Sequence, residues 1–287
     1  MRPVFLLMIT VLMFAGSCHK EDEILPAPPS SPPPVEEGIP DEEEKPQDTI
    51  PEIPKEPNVY SEVFEAAVFG DMPYRILFPR NYDSTQKYPL HIFLHGIGER
   101  GSDNEKQLHV GSSFFQADSI RQKYPSFVIF PQCPTSDYWF SDVMTRKLTS
   151  LIDTLLARYP LNRQNISIGG FSMGGYGTFT MVARNPGLFA AAVAIAGDGD
   201  QAKAPFMVKP KWRIFAGEND AIVPSSKSKG MAVALAKAGA SVYFTLYSNA
   251  DHGTTWHRAF AESDYFKWLF AGNGKALAKG VTFSEGN

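Results

Sequence analysis

Cysteine is scarce in this chain, and its scarcity excludes two kinds of architecture. Among 287 residues there are only two cysteines, Cys18 and Cys133. A disulfide-stabilised scaffold needs several cysteine pairs, and a zinc site needs cysteines and histidines at ligand spacing. Neither pattern surrounds Cys133, which we expect to be a small buried residue. The sequence therefore predicts no metal site and implies no cofactor.

The apolar run at the N-terminus is too short to span a bilayer. It covers residues 4–14, follows Arg2 and leads into residues 15–18 (AGSC). This order is typical of a secretory signal. Small residues before a cysteine resemble a bacterial lipobox, which implies cleavage before Cys18 and lipid attachment to its sulfur. Residues 1–17 are thus predicted to be a lipoprotein signal peptide, with an ordinary signal peptide as the alternative.

Residues 18–57 contain few of the apolar side chains that a folded segment needs. They hold 11 of the 23 prolines, and 12 acidic against 3 basic residues give them a net charge of −9. Such a composition predicts an extended, disordered tether. The run KEDE at residues 20–23 resembles the acidic export signal of some Gram-negative surface lipoproteins. We therefore expect an outer-membrane lipoprotein, anchored at Cys18 and facing either the periplasm or the exterior.

Clusters of basic residues are absent from the remainder of the chain. Since Arg2 contributes +1 and the whole chain carries −4, residues 58–287 retain a net charge of +4. A mild positive balance without clustering gives no reason to expect a nucleic-acid partner. These residues contain neither an internal repeat nor a second linker, so they are predicted to form one domain.

The pattern of strands and helices in this domain predicts an α/β fold. Two short strands around residues 70–73 indicate an antiparallel N-terminal hairpin. Further along, apolar strands alternate with helical patterns, which is typical of a mostly parallel sheet with helices on both faces. The predicted strands cover residues 63–69, 74–78, 88–94, 127–130, 165–169, 190–196, 212–216 and 242–247, and the predicted helices cover 143–159, 176–184, 224–238 and 260–270.

Residues 170–174 (GFSMG) provide a candidate nucleophile, Ser172. They lie between the strand at 165–169 and the helix at 176–184, the context of a G-x-S-x-G turn. Glycines on either side allow the serine to occupy a strained turn from which its hydroxyl projects. The following helix directs free N–H groups towards any negative charge formed beside that hydroxyl. A glycine-rich connection without chemistry is the alternative.

Partners for Ser172 should follow later strands, because reactive groups in such sheets lie beyond the carboxyl ends of the strands. Asp220 follows the strand at 212–216, and His252 follows the strand at 242–247. The chain order serine, aspartate, histidine is that of α/β-hydrolases. Alternatives remain at both positions, with Glu218 or Asp251 as the acid and His257 as the base.

Several motifs together resemble the α/β-hydrolase esterases. They are residues 94–96 (LHG), 170–175 (GFSMGG), 217–224 (GENDAIVP) and His252-Gly253 with Trp256 behind it. The likeness covers roughly residues 60–272. It is strongest to the feruloyl and acetyl-xylan type carbohydrate esterases and to poly(hydroxybutyrate) depolymerase-like proteins. It implies the α/β-hydrolase fold, with a mostly parallel central sheet, helices on both faces and the antiparallel N-terminal hairpin.

The resemblance also implies the role of each site residue. Ser172 would be the nucleophile, His252 the base and Asp220 the acid that orients it. The oxyanion hole would use the backbone N–H groups of Met173 and Ile97.

Residues expected at the substrate come from two loops and the last helix. Glu99 is expected to shape the pocket, with a role in bracing its own loop as the alternative. Trp139, between Tyr138 and Phe140, and Trp256 are expected to line the mouth of the site, where aromatic rings suit sugars or a phenolic acyl group. Filling of the core is the alternative for both tryptophans.

The sequence thus predicts a secreted, lipid-anchored serine esterase. Its expected substrates are feruloyl or acetyl esters on plant cell-wall polysaccharide or oligosaccharide. A serine peptidase of the prolyl-oligopeptidase-like type would use the same residues and stays open. A glycan-binding surface lipoprotein that has lost catalysis is the alternative from another class.

Overall fold

A computed structural model describes residues 63–270 and 280–286. The predicted signal peptide at 1–17, the lipid-attachment residue Cys18, the tether at 18–57 and the predicted domain limits at 58 and 287 lie outside the described residues. The described residues all fall within one compact unit.

The described part of the chain forms a single nine-stranded sheet. Its strands are β1 Glu65–Phe69, β2 Met72–Leu77, β3 Tyr88–Leu94, β4 Phe127–Pro131, β5 Leu161–Phe171, β6 Ala191–Ile195, β7 Lys211–Gly217, β8 Ser241–Tyr247 and β9 Gly280–Gly286. Their order is β1-β2-β4-β3-β5-β6-β7-β8-β9. The pairs β1–β2 and β2–β4 are antiparallel, and the other neighbours are parallel. This arrangement confirms the predicted fold class and its N-terminal hairpin.

Helices cover both faces of the sheet, as expected for strands that are buried on both sides. They are α1 Ser112–Gln116, α2 Asp118–Lys123, α3 Asp142–Arg158, α4 Met173–Arg184, α5 Ser225–Lys237, α6 His252–Ala261 and α7 Tyr265–Phe270. Apolar side chains of α3, α4 and α5 fill one core layer, and those of α1, α6 and α7 fill the other. Within the described ranges, no helix combines the length and the apolar character needed to cross a membrane.

The last helix differs from the sequence-based expectation. The prediction of a single helix at 260–270 was wrong. Helix α6 begins at His252, and the chain turns at Glu262 before α7 starts. Glu262 has extended dihedral angles (φ −56°, ψ 124°), which end α6. The earlier start matters for the site, since it places His252 on the first turn of a helix.

Helix α3 shows how local sequence determines an element. The side chain of Ser141 accepts a hydrogen bond from the backbone N–H of Met144 (3.1 Å) and so caps the N-terminus. Leu148, Leu151 and Leu155 recur at helical spacing and are all buried against the sheet.

Truncation of Leu148 tests this packing. Leu148→Ala removes a side chain with no exposed surface, so it should lower the free energy of unfolding by about 2–5 kcal/mol. Val143→Ala on the same helix is the control. Its side chain is 51% exposed, and it should change that free energy by about 0.5 kcal/mol or less. Urea denaturation of the two variants measures both effects, and equal destabilisation would contradict the packing.

Candidate active site

Ser172 occupies a strained turn between β5 and α4. Its φ of 55° and ψ of −116° lie where residues with a β-carbon are rarely found. Its N–H donates to the carbonyl of Ile195 (2.9 Å), and its own carbonyl accepts from the N–H of Tyr176 (3.1 Å). The backbone is therefore held by β6 on one side and by α4 on the other.

The flanking glycines are required by close backbone contacts. A β-carbon on Gly170 would overlap the carbonyl group of Gly174, and one on Gly174 would overlap the carbonyl group of Leu94 at the end of β3. Backbone atoms cannot yield as a flexible side chain does. The two glycines of the G-x-S-x-G motif are therefore required for α4 to approach β3 and β5 so closely.

Three side chains from separate segments form a hydrogen-bonded chain at this turn. His252 Nε2 lies 2.9 Å from Ser172 Oγ, and His252 Nδ1 lies 2.7 Å from Asp220 Oδ2. The side chain of Asp220 is fully buried, and its other oxygen accepts the N–H groups of Ile222 (2.9 Å) and Val223 (2.8 Å). An ionised Asp220 places the imidazole proton on Nδ1, so Nε2 is free to accept the serine proton.

The alternatives from the sequence have other partners in the structure. Glu218 accepts the N–H of Asn249 (3.3 Å), and Asp251 caps α6 by accepting the N–H of Thr254 (2.7 Å). His257 is exposed, and its ring contacts the rings of Phe114 and Trp256. The structure therefore brings Asp220 and His252 to Ser172, and it does not bring these three residues into that chain.

Two backbone N–H groups adjoin the turn from different elements. Met173 is the first residue of α4, where N–H groups have no partner within the helix. Ile97 begins a 3₁₀ helix, Ile97–Glu99, directly after β3. The loop that contains Ile97 lies beside the turn, since a β-carbon on Gly96 would be 3.4 Å from the ring of Phe171. The role of these donors in an oxyanion hole stays a prediction.

Comparisons with known proteins agree with this fold. The model of the dienelactone hydrolase family matches residues 137–266. A thermostable esterase of known structure is 32% identical, with a TM-score of 0.69, over 74% of this chain and 63% of its own. The chain has the α/β-hydrolase fold. It thus spans somewhat less than two thirds of that esterase, and no curated protein matches it.

More distant structures share this α/β-hydrolase fold. A ferulic acid esterase from Anaeromyces mucronatus, in complex with ferulic acid, is 15% identical over 74% of this chain and 90% of its own, with a TM-score of 0.58. Dipeptidyl peptidase 4 from Porphyromonas gingivalis is 16% identical over 73% of this chain and 35% of its own, with a TM-score of 0.59. At these identities the likeness concerns the fold alone.

His95 holds the backbone of the loop after β3 in place. The imidazole is fully buried, and its Nε2 accepts the N–H of Cys133 (3.0 Å). The proton must therefore sit on Nδ1, which donates to the carbonyl of Gly96 (2.6 Å). Burial lowers the pKa of His95 to about 4, so the ring stays neutral at physiological pH. Cys133 is buried, as the sequence predicts.

Trp139 corrects a sequence-based expectation. It does not line the mouth of the site, because its side chain is 0% exposed. Its Nε1–H donates to the carbonyl of His95 (3.1 Å), and its ring packs edge-on against the His95 ring. A buried indole N–H needs an acceptor, and this carbonyl provides one. Its neighbours Tyr138 and Phe140 are 41% and 42% exposed instead.

Glu99 and Trp256 lie close to the site without touching the three hydrogen-bonded residues. Glu99 is half-buried in the loop, with its carboxylate directed at the Gly96 backbone, and burial raises its pKa. This position favours the bracing role for Glu99. The half-buried Trp256 packs 6.5 Å from the ring of Phe171, which lies 4.7 Å from the His252 ring. Its contact with substrate stays a prediction.

Sequence reasoning did not single out Phe171 or Tyr176, although both flank Ser172 in the chain. The ring of Phe171 packs against His252. Tyr176 is half-buried, and its phenol pKa is raised first by burial and then by the charge of Asp198. The sequence shows that both residues are close to Ser172 along the chain. The direction of each side chain depends on how α4 packs against the sheet.

Two buried histidines make the stability of the domain depend on pH. Burial lowers the pKa of His91 to about 3, as it lowers that of His95 to about 4. In the unfolded chain both titrate near pH 6.5. The unfolded state therefore binds more protons below pH 6.5, and the free energy of unfolding must fall with pH in that range.

We expect that free energy to fall by about 1.4 kcal/mol per pH unit for each of the two histidines as the pH drops from 6 to 5. Urea denaturation at pH 7, 6 and 5 measures the slope. His91→Phe should remove the contribution of one histidine to this slope. A free energy that does not change over this range would contradict the neutral state of both rings.

Proposed function

We propose that this protein is a secreted, lipid-anchored serine esterase that hydrolyses carboxylic esters through an acyl-enzyme. The observation that carries the proposal is the chain of hydrogen bonds from Ser172 Oγ to His252 and on to the buried Asp220. A serine hydroxyl is a weak nucleophile until a base removes its proton. In this proposal the three residues form the catalytic triad.

The proposed reaction has two halves. As His252 Nε2 takes the hydroxyl proton, Ser172 Oγ bonds to the ester carbonyl carbon, and the carbonyl electrons move onto oxygen. The N–H groups of Met173 and Ile97 stabilise this oxyanion. The bond to the alcohol then breaks, and the departing oxygen takes the proton from His252. Water repeats the sequence on the acyl-enzyme, so the acid is released and Ser172 recovers its proton.

The environment of Asp220 supports this use of His252. The carboxylate accepts two backbone N–H groups and is sealed from solvent. It can therefore stabilise the imidazolium that forms when His252 accepts the proton, without leaving its place. Burial strengthens the interaction, since the local dielectric constant is low.

The proposed substrates are feruloyl or acetyl esters of plant cell-wall polysaccharide or oligosaccharide. Tyr138 and Phe140 are exposed, and the Phe140 ring lies 6.0 Å from that of Tyr176 on α4. Exposed aromatic rings suit sugar rings or phenolic groups. Attachment of lipid at Cys18 and the acidic, proline-rich tether would hold the enzyme outside the cytoplasm, where such polymers are found.

A substrate panel with the Ser172→Ala variant as control tests the proposal. We expect hydrolysis of p-nitrophenyl acetate and methyl ferulate, and labelling of Ser172 by an organophosphonate, all lost in Ser172→Ala. Cleavage of a proline-ended peptide amide, with no hydrolysis of esters of any acyl length, would assign a peptidase instead. Glycan binding without labelling would assign a binding protein that has lost catalysis.

Substitution of the acid tests the triad itself. In Asp220→Asn the amide oxygen can keep the two backbone N–H groups, so the amide NH2 faces His252 Nδ1 as a donor and moves the imidazole proton to Nε2. Because Nε2 can then no longer accept the serine proton, kcat for p-nitrophenyl acetate should fall by up to about 10⁴-fold. Glu218→Gln is the matched control, because its carboxylate bonds to the loop backbone, and it should keep kcat within about twofold. Equal losses in the two variants would contradict the assignment of Asp220.

A further inference from the structure

Packing does not fix the position of Ile97, the residue whose N–H is the second proposed oxyanion donor. Its side chain is 52% exposed. Glycines flank it on both sides, and a β-carbon on Gly98 would meet nothing within 4 Å. Glycine-flanked backbone without side-chain packing is free to rotate. Polar contacts must therefore determine where this N–H points.

Two side chains bond to the peptide groups on either side of Ile97. His95 Nδ1 donates to the carbonyl of Gly96 (2.6 Å), which belongs to the same planar peptide as the Ile97 N–H. Arg100 Nε donates to the carbonyl of Ile97 (3.3 Å), which belongs to the next peptide. In a trans peptide the N–H points opposite to the C=O, so fixing these carbonyls directs the N–H.

Arg100 also reaches across to a second segment, residues 135–140, here called the aromatic segment. Its Nη1 donates to the carbonyls of Thr135 (2.9 Å) and Asp137 (3.2 Å). Its guanidinium carbon lies 4.9 Å from the centroid of the Tyr138 ring. One planar group thus bonds to three carbonyls on two loops and contacts an aromatic ring, an arrangement that lysine cannot reproduce.

The aromatic segment is itself packed against the helix of the nucleophile. The rings of Tyr138 and Phe140 are stacked (5.2 Å, 22°), and Phe140 lies 6.0 Å from the ring of Tyr176 on α4. The N–H of Tyr176 bonds to the carbonyl of Ser172. The bridge made by Arg100 therefore connects the loop of Ile97 to the helix that carries the other oxyanion donor.

We propose that Arg100 is a positioning residue for ester hydrolysis, which holds the N–H of Ile97 in place by joining its loop to the aromatic segment. This role rests on the proposed function. Trp139 ties the same two segments together from the buried side, through the carbonyl of His95. Arg100 does so at the surface, beside the glycine-flanked donor.

The test compares Arg100→Met with wild type in the full chain. With p-nitrophenyl acetate, kcat should fall roughly tenfold to hundredfold, while KM changes by less than about twofold, because the donor acts on the transition state. Phenylboronic acid forms a tetrahedral adduct on an active serine, with an oxygen in the oxyanion hole. Its inhibition constant should rise by the same factor as kcat falls.

Further variants separate positioning from general damage. Arg146→Met, at an exposed arginine on α3, should retain wild-type kcat. Arg100→Lys keeps the charge but lacks the planar fork, so it should recover only part of the lost kcat. Thermal unfolding of each variant should match that of wild type within a few degrees.

Three results would overturn the role of Arg100: unchanged kcat in Arg100→Met, a lower kcat with unchanged boronic acid affinity, or full recovery in Arg100→Lys. If the wild type hydrolyses no ester at all, the proposed function fails and the role of Arg100 fails with it. If the wild type hydrolyses esters and Arg100→Met has the same kcat, only the positioning role of Arg100 fails.

Discussion

The close approach of α4 to the ends of β3, β5 and β6 is the constraint on which the site depends. It places Ser172 in a backbone conformation that costs about 1–3 kcal/mol for a residue with a side chain. The surrounding structure offsets this cost, because residues 166–171 of β5 and all of β6 are buried and the serine N–H is bonded to β6. A less tightly packed sheet would let the turn relax and withdraw the hydroxyl.

The same sheet determines where the partners of Ser172 lie. Asp220 and His252 follow the adjacent parallel strands β7 and β8, so their loops emerge at one edge of the sheet. The carbonyls of Tyr247 and Ala250 accept the backbone N–H groups of Glu218 and Asn219, and these bonds hold the two loops together. Residues that are 32 positions apart in the chain thereby reach 2.7 Å.

The loop after β3 follows a different principle. Its glycines let the backbone approach the nucleophile, and side-chain hydrogen bonds then restrict the freedom that the glycines allow. His95, Trp139 and Arg100 each bond to a different carbonyl of residues 95–97. The glycines can be recognised in the sequence. The three side-chain donors are far apart in the chain, and only the structure shows that they bond to the same loop.

From residue 63 to 247 the sequence was enough to predict the strands, the three long helices, the serine turn, and the acid and base candidates, because these features depend on local periodicity and on glycine stereochemistry. It missed the short helices α1 and α2. It did not determine the burial of Trp139 or the choice of Asp220 over Glu218. It also predicted one helix where α6 and α7 form. Tertiary structure decided these points, since each depends on which carbonyl, carboxylate or core surface lies nearby once distant segments have packed together.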